Sequence, residues 1–146
     1  MVHRRRTHLD HVDRDRCWLL LYTKARAESW ADINLRKQGF ATLLPRVRQR
    51  GGFAPLFPRY LFIGAPVGTD FRSAHSTRGV LYVVRCGEKP ARVPLEVIDG
   101  IRARMDALGV VELEGRPLVD PLFARRERER VRALVKFAQA GFRVVA

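Results

Sequence analysis

The side chains able to do covalent chemistry in this chain are few and scattered. It has two cysteines, Cys17 and Cys86, and four histidines, of which His3, His8 and His11 crowd the N-terminal end and His75 alone falls within the patterned region. Neither cysteine has a histidine next to it. The G-x-S-x-G elbow, the P-loop, H-E-x-x-H and the dinucleotide-binding glycine fingerprint are all missing. Two cysteines build neither a disulfide framework nor, without other ligands, a zinc site, and three histidines in a patternless tail lack a fourth ligand. The expectation is therefore a protein with no catalytic residue, no metal and no cofactor, its thiols reduced in the cytoplasm. Recognition of anions is the chemistry that the residue types do favour. Lys+Arg number 28 against 15 Asp+Glu, a formal net charge of +13. Only Lys24, Lys37, Lys89 and Lys136 are lysines, and so strong an arginine bias can reflect a GC-rich genome; the distribution carries more weight. Residues 24–50 hold seven basic and two acidic side chains and residues 115–146 hold eight and three, whereas 51–114 are close to neutral with eight and seven. Two basic zones flanking a neutral middle suit phosphates or an acidic protein surface.

The elements that must position these residues follow from pattern. At 146 residues and 47% hydrophobic, the chain is one ordinary domain with a core, which excludes global disorder. No apolar run reaches the ~18 residues of a membrane span, and Met1–Arg16 lacks the apolar stretch of a secretory signal. Residues 1–16, without periodicity, are expected to be a disordered basic tail. Cys17–Thr23 is an apolar run of strand length, buried on both faces. Ala27, Trp30, Ala31 and Leu35 then recur at helical spacing, with Glu28, Asp32, Arg36 and Lys37 opposite, and Gly39 ends the helix. Phe40–Arg46 reads as strand, Gln49–Gly52 as a flexible basic loop, Pro55–Pro58 as a stiff bend and Tyr60–Ile63 as a strong strand. Thr69 or Asp70 can cap a short helical turn within polar residues 69–78. Val80–Val84 is a fourth strand, Pro94 opens a second helix that carries Val97, Ile98, Ile101, Met105 and Leu108 and stops at Gly109, and Val110–Leu113 suits a short last strand. Four strands and two helices in this order predict an α+β, ferredoxin-like sandwich, a mainly antiparallel four-stranded sheet flanked by helices. Residues 17–113 form that domain. After a linker at Gly115–Pro117, residues 114–146 are too few for a core of their own; they hold a helix-compatible charge run at 125–130, apolar Val131, Leu134 and Val135, and a strand-like Phe142–Val145. Arg59–Ile63 lacks the glycine–aromatic alternation of an RNA-recognition strand.

Two segments are more specific. Pro55-Leu56-Phe57-Pro58-Arg59-Tyr60-Leu61-Phe62-Ile63 and Thr77-Arg78-Gly79-Val80-Leu81-Tyr82-Val83-Val84-Arg85 resemble signature segments of the NusG/RfaH family of transcription elongation and antitermination factors, most closely those of its RfaH group. Trp18–Tyr22 followed by a helix, and Pro90–Pro94 before the second helix, are similar to the family in order and spacing. The resemblance covers the family's N-terminal (NGN) domain and implies the fold inferred above. It also implies a monomeric, non-enzymatic factor that sits on the β′ clamp helices of RNA polymerase, bridges the DNA channel towards the β subunit and suppresses pausing or termination. By position, Tyr22, Phe57, Tyr60, Ile98 and Ile101 match residues lining the apolar clamp-binding depression. Lys24, Lys37 and Arg78 match a basic face turned to the non-template DNA strand. Asp70-Phe71-Arg72-Ser73 replaces the His-Thr-Thr-Thr segment that meets β, so a polar β-facing loop is expected with altered contacts. The family's C-terminal KOW barrel should follow the linker, and residues 131–146 match only its opening, so 114–146 are expected to be a truncated or degenerate KOW-like or helical segment. The resemblance further implies that Leu122, Phe123, Val131, Leu134 and Val135 could form a helix covering the clamp-binding patch. A basic nucleic-acid-binding module of ribosomal or RNA-chaperone type on the same scaffold is the alternative.

Overall fold

The computed structural model describes residues 16–115 and 118–142. The tail expected over residues 1–16, with its three histidines, therefore lies outside the described residues apart from Arg16, as do Arg116-Pro117 of the linker and the strand-like end beyond Phe142. The architecture is α+β. Strand β1 (Arg16–Thr23) forms the middle of an antiparallel sheet because its Leu19, Leu20 and Leu21 are all almost fully buried. Strand β5 (Tyr60–Pro66) pairs along one edge of β1, and β2 (Ala41–Leu43) continues beyond it. The other edge of β1 is shared: β6 (Val80–Val83) pairs with its end and β9 (Arg92–Val93) with Trp18 and Leu19. Between them a small hairpin of β7 (Arg85–Cys86) and β8 (Lys89–Pro90) loops outward.

Side chains of successive strand residues face opposite ways, and β1 separates two cores accordingly. Leu19 and Leu21 pack with Ala31 and Leu35 of helix α1 (Glu28–Lys37), together with Phe40, Leu61, Ile63 and Ala74. Trp18 and Leu20 join the larger cluster, with Leu56, Phe57, Phe62 and, from helix α3 (Leu95–Ala103), Ile98 and Ile101. Helix α1 is turned from its expected orientation. Its buried residues are Glu28, Ala31 and Leu35, and Trp30 is 50% exposed. The Glu28 carboxylate accepts the Arg59 backbone N–H at 2.9 Å, which draws that face inward and swings the indole out. Gly79, at φ +93°, lets the Thr77–Val80 turn lie on the helix; a Cβ there would stand 3.1 Å from that of Ala31.

Three expectations are corrected. The basic loop at 49–52 is the tip of a hairpin between β3 (Arg46–Gln49) and β4 (Gly52–Pro55), whose Arg46 and Arg48 guanidinium groups stack over Phe53 at 5.0 and 5.5 Å. Pro45, which cannot donate to a ladder, separates β3 from β2. Val110 and Val111 make only isolated bridges, to Arg46 and Met105, so no strand forms at 110–113. The short helix α2 (Arg72–His75) has Phe71, not Thr69 or Asp70, as its N-cap, though the Asp70 carboxylate accepts the Arg72 N–H from just outside.

The C-terminal segment docks on the larger core. A 3-10 turn (Pro121–Phe123) and helix α4 (Glu127–Gln139) add Leu122, Phe123, Leu134, Ala138 and Phe142 to the cluster built by Trp18, Leu20 and Phe57. Of the residues expected to cover it, Leu122, Phe123 and Leu134 are buried while Val131 and Val135 are only half-buried. The inward stripe of α4 is Arg130, Leu134 and Ala138, because Arg130, placed in a charge run by sequence, is 3% exposed.

Two glycines should respond oppositely to alanine. In β5, a Cβ at Gly64 would lie 2.7 Å from the Trp18 indole, so Gly64→Ala is expected to destabilise by about 1–3 kcal/mol through overpacking. Gly100, inside α3 with open space around it, should gain roughly 0.5–1 kcal/mol as Gly100→Ala. Urea midpoints of the two variants check both signs.

Candidate functional site

Three tyrosines stand in a row across one end of the sheet. The register pairs Tyr22 of β1 with Tyr60 of β5 on one side and with Tyr82 of β6 on the other. Ring centroids are 5.2 Å apart for Tyr22–Tyr60, tilted, and 4.9 Å apart for Tyr22–Tyr82, stacked. Arg59 places its guanidinium 4.3 Å from the Tyr22 ring centroid, a cation–π contact. A left-handed backbone at φ 62° to 72° is uncommon for a side-chain-bearing residue, yet Arg59 adopts φ 72°. It is held there by its N–H to Glu28, its Nε–H to the Thr23 carbonyl at 3.1 Å, and the Thr23 N–H donated to its own carbonyl at 2.8 Å. Burial pushes the Tyr60 phenol above its ordinary pKa, with Tyr82 and Tyr22 adding to the rise and Arg59 opposing it. The row is a partly wet aromatic surface; Tyr82 is 46% exposed, and Leu81 beside it is exposed as well. Such a surface suits an apolar protein partner whose polar atoms can reach the phenol hydroxyls.

The five expected clamp-binding residues therefore divide. Tyr22 and Tyr60 are half-buried in this row. Phe57, Ile98 and Ile101 are at most 1% exposed, inside the core that the C-terminal segment completes. The segment is fastened there by Arg130, whose Nε–H donates to the Leu56 carbonyl at 3.0 Å and whose Nη1 donates to the Ala124 and Arg125 carbonyls at 3.0 and 2.8 Å. Desolvation lowers the pKa of this guanidinium, and Glu127 partly restores it. Arg104 completes the seam: it stacks 3.9 Å from the Phe123 ring centroid and pairs with Glu114 at 2.7 Å, while the other Glu114 oxygen accepts the Val119 and Asp120 N–H groups.

Lys24, Lys37 and Arg78 are exposed and border one turn. The Lys24 N–H donates to the Gly79 carbonyl at 2.8 Å, and Gln38, next to Lys37, donates its side-chain amide to the Thr77 hydroxyl at 2.7 Å. The 77–79 turn thus runs along α1 with Lys24 near one end, Lys37 near the other and Arg78 between. Trp30, Ile33 and Lys37 share the adjoining face of α1, and both apolar side chains are about half exposed. Sequence periodicity placed Trp30 in the core; the signal that could have found it is its fit to the Ile33/Lys37 face. In the loop at 70–73, Asp70, Arg72 and Ser73 are exposed, and Phe71 anchors them by stacking on Phe40 at 5.8 Å. Asp70 and Arg72 pair at 2.7 Å, and bonds from the Arg72 side chain and backbone hold the Asp70 carboxyl below its usual pKa. The loop's outward charge is consequently self-neutralised.

Residues 16–102, more than half of the chain, match a family model described as "NusG: Transcription termination factor nusG". The match spans β1 to the end of α3 and takes in the tyrosine row, the 70–73 loop and the Lys24–Arg78–Lys37 rim. Helix α4 lies beyond it. No helix among the described residues is long and apolar enough to cross a membrane.

Arg130→Ala should leave three carbonyls without their donor and cost about 3 kcal/mol. The loss is expected first as faster hydrogen exchange and proteolysis over residues 114–142, with β1 and β5 still protected. Arg130→Lys should not restore protection, since an ammonium lacks the planar fork that reaches all three acceptors.

Proposed function

The chain belongs to the NusG family, and from that membership we propose that it is a cytoplasmic transcription elongation and antitermination factor acting by binding rather than catalysis. Domains of this family interact with RNA polymerase. The contact proposed here is with the β′ clamp helices through the tyrosine row and the adjoining Phe57, Ile98 and Ile101 core, with the 70–73 loop facing the β subunit and Lys24, Lys37 and Arg78 facing non-template DNA. The tyrosine row is the observation that carries this reading: a partly exposed, preorganised aromatic surface is costly to leave in water and chemically fitted to a helical hairpin. Gripping both sides of the channel favours the closed clamp by differential binding, a population shift against pausing. Because the C-terminal segment completes the same core, its docking and clamp binding compete, and the segment acts as a cover.

The test is binding of the full chain to RNA polymerase at about 200 mM salt, where phosphate contacts are weakened. Tyr22→Ala/Tyr82→Ala should lose at least tenfold in affinity, ~1.4 kcal/mol, and Arg130→Ala, which frees the cover, should bind more tightly than wild type. Equal binding by all three proteins would exclude the row as the contact.

A second reading, a basic nucleic-acid-binding module, is favoured by one observation: Trp30 stands half exposed on α1, two turns before Lys37. Aromatic faces next to cations stack unpaired bases, at about 1–3 kcal/mol per base. The chain has two tryptophans, and Trp18 is 2% exposed, so quenching of the exposed indole by oligo(dT) isolates Trp30. Wild type should be quenched, Trp30→Phe should keep the affinity without that signal, and Trp30→Ala should lose about tenfold or more in affinity. An unquenched wild type would remove base stacking from the account.

A further inference from the structure

We propose that the outer face of helix α4 is a second nucleic-acid-binding surface, one that takes the phosphodiester backbone of duplex DNA. It stands apart from the polymerase contact and from the Lys24–Arg78–Lys37 rim, and does not rest on either. Arg128, Arg132 and Lys136 follow one another at i, i+4 and i+8, all exposed, and exposed Arg125 extends the line from the turn before the helix. The buried stripe at Arg130, Leu134 and Ala138 faces the opposite way. Since the Arg130 guanidinium is locked to three carbonyls, the helix cannot roll, and the cations are presented at fixed positions.

Two features separate this face from an ordinary solvated one. Its charge is net positive: Arg125, Arg128, Arg132 and Lys136 stand against Glu129, which lies four residues after Arg125 and three before Arg132 and offsets part of their charge. Spacing supplies the second feature. A cation every four residues recurs at about 6 Å along the axis, and because a DNA strand winds around its axis its neighbouring phosphates lie farther apart than the ~3.4 Å axial rise per charge, so successive side chains can meet successive phosphates. No exposed aromatic accompanies the line, since Phe137 is half-buried and Phe142 buried, so base stacking contributes nothing and duplex is favoured over single strand. The absence of an aromatic anchor also sets the face apart from a protein-binding one.

The position of α4 gives the surface a distinct geometry. It packs on the Trp18/Leu20 side of the sheet, whereas α1 and its rim pack on the Leu19/Leu21 side. One molecule can therefore hold nucleic acid on both of its faces.

The experiment measures binding of the full chain to a labelled 25-bp duplex of arbitrary sequence by fluorescence anisotropy, over about 50–250 mM NaCl. Wild type is compared with Arg128→Gln/Arg132→Gln/Lys136→Gln and with the charge-preserving Arg128→Lys/Arg132→Lys/Lys136→Arg. The neutral triple variant should bind at least tenfold more weakly at low salt, and its slope of log K against log salt should be shallower by about 2 to 3. The charge-preserving variant should keep the wild-type slope. Matched thermal melts of the three proteins show that the fold is not the cause, and a Lys24→Gln/Arg78→Gln background should leave the difference between them intact. An unchanged slope in the neutral variant overturns the proposal. So does a stronger loss for a single strand of the same length, or competition by polyglutamate more effective than by duplex at equal charge, which would assign the face to single strands or to an acidic protein.

Discussion

A strand that is apolar on both faces has no stable place except between two layers, and β1 imposes that condition on everything else. Trp18 and Leu20 look one way, Leu19 and Leu21 the other, and all four are almost fully buried. Burying such side chains yields about 1.5–3 kcal/mol each, which is available only if both faces are covered. Helix α1, with Phe40 and Ala74, covers the Leu19/Leu21 face. The Trp18/Leu20 face needs more than α3, whose nine residues span about 13 Å. The C-terminal turn and α4 supply the rest, which is why a segment too short to fold by itself is ordered here.

That constraint explains which parts of the fold were legible in sequence. The continuous run at 17–23 announces a central strand, and the strands at 60–63 and 80–84 are flanked by turn residues that permit little else. The failures have local causes. Trp30 lies on the helical apolar stripe by periodicity, but a single bond from Arg59 to Glu28 selects a different face. Arg130 looks solvated within Arg125–Arg130, and its burial is made tolerable by the Ala124 and Arg125 carbonyls together with that of Leu56, 74 residues away. The hairpin at 46–55 has no hydrophobic alternation to betray it; it is held by arginines on Phe53 and by the Arg46 side chain donating to the Leu108 carbonyl at 2.6 Å. In each case a polar side chain overrides a hydrophobic pattern, and long-range polar partners are invisible to periodicity.

The site was legible in a similar proportion. Residues that must be exposed to act, Lys24, Lys37, Arg78 and the polar members of the 70–73 loop, are exposed. Phe57, Ile98 and Ile101 are buried against this chain's own C-terminal segment, and the apolar character that suits them to it is the same that the proposed contact with a partner's helices would use. Sequence alone does not say which of the two occupies the face, because the free energy of either choice is set by the docking of residues 118–142, outside the run of any of the three.

Arg130 decides how firmly that choice is made. A guanidinium bonded to carbonyls, with no carboxylate pressed against it, recovers only part of its desolvation cost, and an apolar residue of the same volume would hold α4 more tightly. What the arginine contributes instead is registry. Its three acceptors come from Leu56, Ala124 and Arg125, so it is satisfied in one position of α4 against the 55–58 bend and in no neighbouring one. The helix is thereby fixed in rotation while its docking free energy is kept modest. Those are the properties that the proposed cover requires, an ordered outer face and an inner face that can yield.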